Sequence, residues 1–476
     1  MTTKALLLAI PFAIGLSGCV VGPDYHPPVP AAGGTWLAPV SSADVDAAWW
    51  KKFGDPLLTE LVESAIAGNK DLEEASARLR EARANRDVVL GGRAPQVTAS
   101  AAATSNRLSE NGLLPVGRVP GLGPDVDIYD AGFDASWEID LWGRMKRATQ
   151  GAEARAQSAE EARRIVVIQV IAEVVRTYID LRAAQSLRAN AVADANAQGK
   201  IARLVADRLR VGLASRFDLV RAQAQARATA ATIPGYEGDA AAAAFRLALL
   251  LGKHPEELYD RLRQPAPLPQ VNFQVGAGLR SDLLRRRPDI RQAERDLAAS
   301  TADVGVATAD LFPRFSLFGG IGQQAREPGD LLSADSLRFQ FGPSLRWPIF
   351  SGGRIRAQIR AADARADAAM ARYERAVLGA LSDSETAINR YASAGRTRVE
   401  RNEVRVSAAE AVSLARKRYI AGEDDLTALL QAQTSFTAAD RLDIQASTGE
   451  LQQLTALYKA LGGGWESAEG ANPPQN

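Results

Sequence analysis

Two segments of the chain alternate between apolar and polar side chains without a break. From Ile128 to Leu141 the odd-numbered residues are all apolar, and most of the residues between them are polar. From Leu337 to Ile349 the odd-numbered residues are again apolar. Because side chains return to the same face of a strand every second residue, this pattern gives each segment one apolar and one polar face. It predicts strands at about 128–141 and 337–349.

A weaker alternation follows Pro95 and Pro313 and predicts two further strands, at about 94–104 and 313–322. Each of these precedes one of the stronger strands along the chain. We therefore expect each half of the chain to contain one strand hairpin. The connecting loops would be Leu108–Pro124 and Gln323–Ser336.

Long helices are predicted where proline is absent. No proline occurs between Pro124 and Pro234, and this stretch is rich in Ala, Arg, Glu, Leu and Gln, a composition typical of helices. A helix from about Met145 to about Val211 would be ~100 Å long at ~1.5 Å per residue. Gly212 is expected to end it.

The return helix of this first hairpin is predicted to start at Ser215, because Asp218 follows at the spacing of a capping box. A second proline-free stretch predicts a helix from about Arg354, a turn at Gly422–Asp425 and a helix that runs to Leu461. The expected arrangement is four long helices in two antiparallel pairs.

The chain also repeats itself. The segment 208–223 resembles 418–433 at an offset of 210 residues, and positions from Asp71 to Pro95 resemble those from Asp289 to Pro313 at an offset of 218. A repeat of this length predicts a duplicated unit of a strand hairpin plus a helix hairpin. The predicted division is 1–18 signal peptide, 19–54 extended tether, 55–270 first repeat, 271–462 second repeat and 463–476 C-terminal tail.

Alternating strands most often belong to a sandwich with its polar side in water. Four strands interrupted by two long helix hairpins do not suit a sandwich core, whereas alternating segments of roughly ten residues are typical of transmembrane barrels. A barrel in lipid must close, and known barrels begin at about eight strands. The sequence therefore predicts a membrane protein of the α+β class that spans the bilayer only as an oligomer, with its two strand-connecting loops outside the cell.

The N-terminus predicts export. Lys4 precedes an apolar run from Ala5 to Leu16, which is typical of a secretory signal peptide. Leu16-Ser17-Gly18-Cys19 resembles the lipobox of bacterial lipoproteins, and Cys19 is the only cysteine. This resemblance implies a diacylglycerol and an N-acyl chain on Cys19 and, with Val20 next, delivery to the outer membrane. The alternative is a conventional signal peptide that is cut near Gly18.

Composition argues against several other functions. The chain has 57 basic and 56 acidic residues, so no basic excess predicts nucleic-acid binding. Its two histidines and one cysteine form no spacing typical of a metal site. No catalytic constellation is recognisable, and we expect neither an enzyme nor a cofactor.

Three segments resemble signatures of the TolC-like outer membrane factors of tripartite efflux pumps, in their NodT-type lipoprotein branch. They are WWKKFGDPLLTELVESAIAGNKDLEEASARL at 49–79, RRRPDIRQAERDL at 285–297 and LGGGW at 461–465. The resemblance spans nearly the whole mature chain. It implies a homotrimer with a twelve-stranded β-barrel and a periplasmic α-helical barrel. It also implies a periplasmic adaptor and an inner-membrane transporter of the resistance-nodulation-division (RND) class as partners.

In such proteins the hairpin tips narrow the periplasmic mouth. The resemblance therefore points to the turns at Gly212 and Gly422 and to a gate formed by the charged residues beside them. Asp424 is the favoured gate residue, while Asp425 is better explained as a helix N-cap. The candidate gate residues are Glu423, Asp424, Asp425, Arg418, Arg416 and Arg216.

Two further sets of residues have alternative interpretations. The arginines of RRRPDI either present a positive surface to partners or pack around a helix start at Pro288, and we favour packing. Four aromatic residues are expected to face the membrane, as an interfacial girdle or as ordinary lipid-facing side chains: Tyr129, Trp137, Phe341 and Trp347.

The function that these features predict is a passive exit duct for small toxic compounds. One alternative is the outer channel of a type I protein-secretion system. Another, of a different class, is a structural coiled-coil lipoprotein, which would not need the two-faced strands. The transported compound is not recorded in the sequence, because selection is expected at the pump.

Overall fold

The computed structural model describes residues 20–28, 34–38, 40–41, 43–109, 123–270 and 275–469. The signal peptide, Cys19, part of the tether, most of the first connecting loop (110–122) and the tail from 470 lie outside the described residues. The predictions that fall on them, including acylation of Cys19, therefore stay predictions.

Long helices and four strands make up most of the described chain. The helices are α1 (Pro56–Gly68), α2 (Lys70–Gly91), α3 (Arg144–Arg210), α4 (Arg216–Ala230), α5 (Ile233–Leu250), α6 (Pro255–Leu262), α7 (Leu283–Arg286), α8 (Pro288–Ala309), α9 (Arg354–Ala421), α10 (Leu426–Ala460) and α11 (Trp465–Glu469). The strands are β1 (Gln96–Arg107), β2 (Asp125–Ile139), β3 (Arg314–Ala325) and β4 (Leu337–Arg346). Short 3₁₀ turns lie at Trp49–Phe53, Arg280–Asp282, Pro328–Asp330 and Ala334–Ser336.

The four strands form one antiparallel sheet in the order β1-β2-β3-β4. Its registers align apolar positions across the sheet: Ala99 pairs with Phe133, Phe133 with Ile321, and Ile321 with Phe339. The alternate positions are mostly polar or glycine, as in the row from Thr98 through Asp134 and Gly320 to Gln340. The alternation seen in the sequence therefore becomes two chemically different faces.

The strand limits differ from those predicted by one to three residues at seven of the eight ends. β2 stops at Ile139, not Leu141, because the Asp140 carboxylate accepts hydrogen bonds from the backbone amides of Met145 and Lys146 at 3.1 and 2.8 Å. β4 stops at Arg346, not Ile349, because its neighbour β3 begins at Arg314, directly opposite Arg346. β3 runs to Ala325 and so shortens the predicted second loop.

The return helix of the first hairpin is broken, which corrects the prediction of four continuous long helices. α4 ends at Ala230, and α5 begins at Ile233. Pro234 lies in the first turn of α5. Because proline has no backbone N–H, it cannot make the hydrogen bond that would continue the helix from α4. The corresponding helix of the second hairpin, α10, is unbroken.

The chain divides into two compact units, each drawn from both sequence repeats. The first comprises 1–28, 80–159 and 293–373 and contains the sheet; the second comprises 29–79, 160–292 and 374–476. In the first unit the segment after Cys19 is held by the buried Arg147. Its guanidinium donates to the carbonyl oxygens of Val21 and Gly22, both at 3.2 Å, and to the Asp24 carboxylate at 2.8 Å.

The core of the second unit joins the three family signatures quoted above. Trp49 stacks on Tyr458 with ring centroids 4.8 Å apart, and Gly464 lies against Trp49 and Trp50. The indole of Trp465 donates to the Arg286 carbonyl oxygen at 3.1 Å. Residues far apart in sequence therefore meet in one core.

Arg287 is the buried arginine of RRRPDI. Its guanidinium pairs with both carboxylate oxygens of Asp289 and donates to the carbonyl oxygens of Ala380 and Ala460. α8 begins at Pro288. The packing interpretation of this motif is the one that the geometry supports.

Candidate functional site at the helix-hairpin tips

The two hairpin turns have the same backbone geometry. Gly212 and Gly422 adopt positive φ angles of 77° and 79°, a conformation that favours glycine. The amide of Leu213 donates to the Arg208 carbonyl oxygen at 2.8 Å, and the amide of Glu423 donates to the Arg418 carbonyl oxygen at 3.0 Å. These are Schellman turns, which satisfy the last carbonyl groups of α3 and α9. The duplication therefore fixes the scaffold of both tips.

The return helices begin with different caps. At the first tip the Ser215 hydroxyl accepts from the Asp218 amide at 3.1 Å, and the Asp218 carboxylate accepts from the Ser215 amide at 3.0 Å. These hydrogen bonds form the predicted capping box. The Ser215 hydroxyl also donates to the Asp218 carboxylate at 2.7 Å, and this bond, together with that from the Ser215 amide, lowers the pKa of Asp218. At the second tip the Asp425 carboxylate accepts from the Ala428 amide at 2.9 Å. Asp425 is therefore an N-cap.

Arg418 lies beside the acidic turn of the second tip. Its Nε lies 3.1 Å from Oδ2 of Asp424 and 3.8 Å from Oε2 of Glu423. About a quarter of the Asp424 side chain is exposed (26%), against 64% for Glu423. Asp424 is thus the better-enclosed partner, and the ion pair lies within one protomer.

Arg416 and Arg216 are exposed, and neither forms an ion pair with any part of the chain that the structure describes. Close to Arg216, three apolar side chains of the first tip are largely exposed: Val211 (68%), Leu213 (68%) and Phe217 (71%). The first tip therefore exposes three apolar side chains beside its turn, whereas the turn of the second tip carries three carboxylates.

The sequence did not indicate the contact between the tips. The Arg208 guanidinium lies over the ring of Tyr419, 4.6 Å from its centroid, and donates to the Tyr419 carbonyl oxygen at 2.5 Å. Burial raises the pKa of Tyr419, and the nearby Arg208 charge opposes that rise. The sequence signal was that an arginine lies four residues before each turn glycine, Arg208 before Gly212 and Arg418 before Gly422.

A small apolar core supports both tips. The buried residues come from α3, α4, α9 and α10: Ile201, Val205, Ala222, Tyr419, Leu426, Leu429 and Leu430. Above this core the buried Asp194 carboxylate accepts from the side-chain amides of Gln433 at 2.8 Å and Gln198 at 3.1 Å. The tips are therefore one packed assembly with a polar layer next to it.

The four aromatic residues expected to face the membrane lie on or next to the apolar face of the sheet. Tyr129 and Trp137 are in β2, Phe341 is in β4, and Trp347 follows β4 by one residue. Two indoles bind the chain just before a strand: Trp137 donates to the Arg93 carbonyl oxygen at 2.9 Å, and Trp347 to that of Leu311 at 3.1 Å. Both repeats thus anchor a tryptophan in the same way.

Within the described residues, no group of three or more His, Cys, Asp or Glu side chains is arranged to hold a metal ion. Across those same parts of the chain, no helix combines the length and the apolar character needed to cross a bilayer.

Comparison with known proteins identifies relatives over nearly the full length. The sequence profile of the outer membrane efflux protein family matches residues 61–253 and 279–463. Nodulation protein T of Rhizobium leguminosarum bv. trifolii is 32% identical over 459 residues, covering 94% of each chain. A probable outer membrane lipoprotein of Salmonella typhimurium, SilC, is 29% identical and covers 97% of this chain and 99% of its own.

A solved structure of the outer-membrane channel OprN superimposes with a TM-score of 0.87 at 38% sequence identity, covering 94% of this chain and all of the other. The chain belongs to the outer membrane efflux protein family, whose members are outer-membrane channels.

Proposed function

We propose that this chain is the outer-membrane exit duct of a tripartite efflux pump of the RND type. Three copies would form a twelve-stranded barrel in the outer membrane and a helical barrel in the periplasm. The duct would carry small toxic compounds outward, and it would perform no chemistry of its own.

The observation that carries this proposal is the two-faced sheet. One face is apolar across all four strands, and β1 and β4 are its edge strands, each with one strand neighbour in the described sheet. Free edges are not tolerated in lipid, so a spanning sheet must pair its edges with another copy. Three copies contributing four strands each give a closed barrel of a size known for such proteins.

The mass of the detergent-purified protein tests this assembly. We expect a particle of three chains whose gel migration changes on heating, because a closed barrel resists SDS until it is heated. A monomer that unfolds in SDS without heating would contradict the trimeric barrel.

The gate is proposed to be the acidic turn of the second tip. Three copies of Asp424 near the axis would attract cations, and the Arg418 pair would hold each turn in its closed position. Opening would require this pair and the Arg208 contact with Tyr419 to separate.

The partner at the tips is proposed to be a periplasmic adaptor that covers the apolar surface of the first tip. The exposed Val211, Leu213 and Phe217 are the side chains available for such a contact. Replacing Phe217 by Ser should abolish crosslinking to the adaptor, and replacing the exposed Phe245 of α5 by Ser should not. Equal crosslinking in both variants would place the adaptor elsewhere.

Acylation of Cys19 is proposed as the membrane anchor, and the relative named as a probable lipoprotein supports it. Arg147 binds the carbonyl oxygens of Val21 and Gly22, so the segment that follows Cys19 is attached to the first unit. Radiolabelled palmitate should enter the wild-type protein and be absent from a Cys19→Ser variant. Label in that variant would contradict the anchor.

Efflux itself is tested in cells. Deleting the gene should increase accumulation of at least one toxic compound in a screen of antibiotics, dyes, metal ions and solvents, and the wild-type gene should reverse the effect. Unchanged accumulation across the screen, together with a defect in secretion of a protein, would favour the secretion channel.

A further inference from the structure

One large aromatic side chain lies on the polar face of the sheet. Phe318 of β3 pairs in register with Ser136 of β2 and Gly342 of β4, and both belong to the polar face. Its ring leans over Gly342: a Cβ placed on that glycine would lie 3.5 Å from the ring. Phe318 nevertheless keeps 40% of its surface exposed.

Glycines open the space around this ring. Gly320 follows Phe318 on the same face of β3, and a Cβ placed there would lie 2.9 Å from Oδ1 of Asp134. The Asp134 carboxylate therefore lies over Gly320, which makes Asp134 the diagonal neighbour of Phe318 on this face. Diagonal neighbours on a sheet are about 7–8 Å apart, a distance that one small organic molecule can span.

Asp134 is also the carboxylate of β2 on this face that forms no ion pair with a described residue. Asp130 is bound by both arms of Arg338, and Glu138 by both arms of Arg144. Asp134 receives only the Ser100 hydroxyl, at 3.4 Å, and among the described residues it has no ion pair. The charge of Arg338 acts on Asp134 from a distance, but the guanidinium hydrogen bonds go to Asp130. No guanidinium is bound to the Asp134 carboxylate, which can therefore pair with a ligand.

The repeat shows that the ring is specific to the second copy. At the offset of 218 residues Phe318 corresponds to Ser100, which pairs with Gly132. At the other offset, 210 residues, Gly132 corresponds to Gly342, the partner of Phe318. Each half thus has a glycine, Gly132 or Gly342, opposite this position, but only the second half has an aromatic ring there. An aromatic ring can stabilise a sheet by covering a glycine. That structural role would not require the carboxylate of Asp134 beside the ring.

We propose that Phe318 and Asp134 form a transient binding site for organic cations that carry an aromatic ring. The ring of the ligand would stack on Phe318, and its positive charge would lie near Asp134. The inference rests on the proposed duct, because it takes the polar face of the sheet as the face that lines the lumen. Three copies would provide three such sites.

The test is a fluorescence titration of ethidium, a planar aromatic cation, with the purified full-length protein in detergent, with empty micelles as the blank. Phe318→Leu keeps an apolar side chain without a ring, and Asp134→Asn removes the charge. We expect each variant to weaken binding about threefold to tenfold, the range expected for one stacking or one charge contact. Phe341→Leu, on the apolar face, is the control and should bind like wild type.

Tetrabutylammonium, a cation without a ring, should compete poorly with ethidium. Wild-type ethidium binding by both site variants would overturn the inference, and so would an equal loss of binding in Phe341→Leu. A third outcome would also overturn the inference: Phe318→Leu unfolds at a lower temperature, while Asp134→Asn binds ethidium like wild type. The Phe318 ring would then serve to cover Gly342.

A separate conductance measurement distinguishes the site from the duct. If wild-type protein forms no pore in a planar bilayer, the proposed duct fails whatever the titration gives. If it conducts and ethidium binding is insensitive to both variants, the duct stands and the site is wrong. Support for both requires a conducting protein in which added ethidium shortens open events, and in which Phe318→Leu reduces that block.

Discussion

Arg208 holds Tyr419: its guanidinium covers the tyrosine ring at 4.6 Å and donates to the tyrosine carbonyl oxygen. Arg418 occupies the same position in the second repeat, yet it turns to Asp424 in its own turn. Two arginines placed by one duplication therefore have different partners. The first joins the two hairpins, and the second holds the acidic turn.

Removing the Arg208 side chain should loosen the end of α9. In Arg208→Ala the Tyr419 carbonyl and ring lose a charged partner, a contact worth roughly 1.5–3 kcal/mol. Hydrogen exchange at 415–421 should then become at least about tenfold faster. Arg210→Ala is the control, because within the described chain Arg210 pairs with Asp207 of its own helix and with no residue of the other hairpin. Equal exchange in both variants would show that the contact between the hairpins contributes no stability.

Asp425 should be replaceable by the residue found in the other copy. Asp425→Ala removes the acceptor of the Ala428 amide and should destabilise the start of α10 by about 1 kcal/mol. Asp425→Ser should restore the cap, as Ser215 does at the first tip. Exchange of the amides at 427–429 measures both variants. Similar protection in the alanine and serine variants would contradict the capping role.

The arginines of RRRPDI should differ in importance. Arg287→Lys loses the paired contact with Asp289 and leaves two carbonyl groups poorly satisfied, which should cost roughly 2–4 kcal/mol. Arg285→Lys should be nearly neutral, because 84% of the Arg285 side chain is exposed. The guanidinium chloride concentration at half-unfolding compares them. A smaller loss for Arg287→Lys than for Arg285→Lys would contradict the packing interpretation.

Ionisation of the buried Tyr178 hydroxyl should lower the stability of the protein in strong alkali. Burial, aided by its hydrogen bond to Asp55, raises the pKa of Tyr178 to about 12. Unfolded tyrosine titrates near ~10, so its stabilising contribution is complete below pH ~10 and is lost as the pH rises towards 12. The difference in absorbance at 295 nm between wild type and Tyr178→Phe should show ionisation near pH 12. A step near pH 10 in the folded protein would contradict this burial.

The sequence predicted the elements of this fold well where one local rule decides them. Gly212 and Gly422 end helices because their backbone takes a positive φ, and the Ser215–Asp218 spacing was enough to predict a capping box. The strands were predicted because apolar and polar residues alternate along them, and this alternation places the two kinds of side chain on opposite faces of the sheet. The break before α5 was missed, although Pro234 supplied its physical cause.

Contacts between distant residues were harder to predict. Nothing near Arg208 in the sequence indicates Tyr419, and nothing near Phe318 indicates Asp134, because each pair is set by how the hairpins pack or how the strands align. The candidate gate residues were found from charge at a turn. Which carboxylate would face Arg418 depended on the geometry of the Schellman turn, and that geometry became clear only in the folded chain.

The most direct test of the gated duct is the single-channel conductance of the purified protein in a planar bilayer. Asp424→Ala removes the nearer acidic partner of Arg418 and one negative charge per chain, so mean conductance should rise and cation selectivity should fall relative to wild type. Asp425→Ser changes the neighbouring carboxylate while keeping the helix cap and should alter conductance less. Wild-type opening and wild-type cation selectivity in Asp424→Ala would contradict the proposed gate.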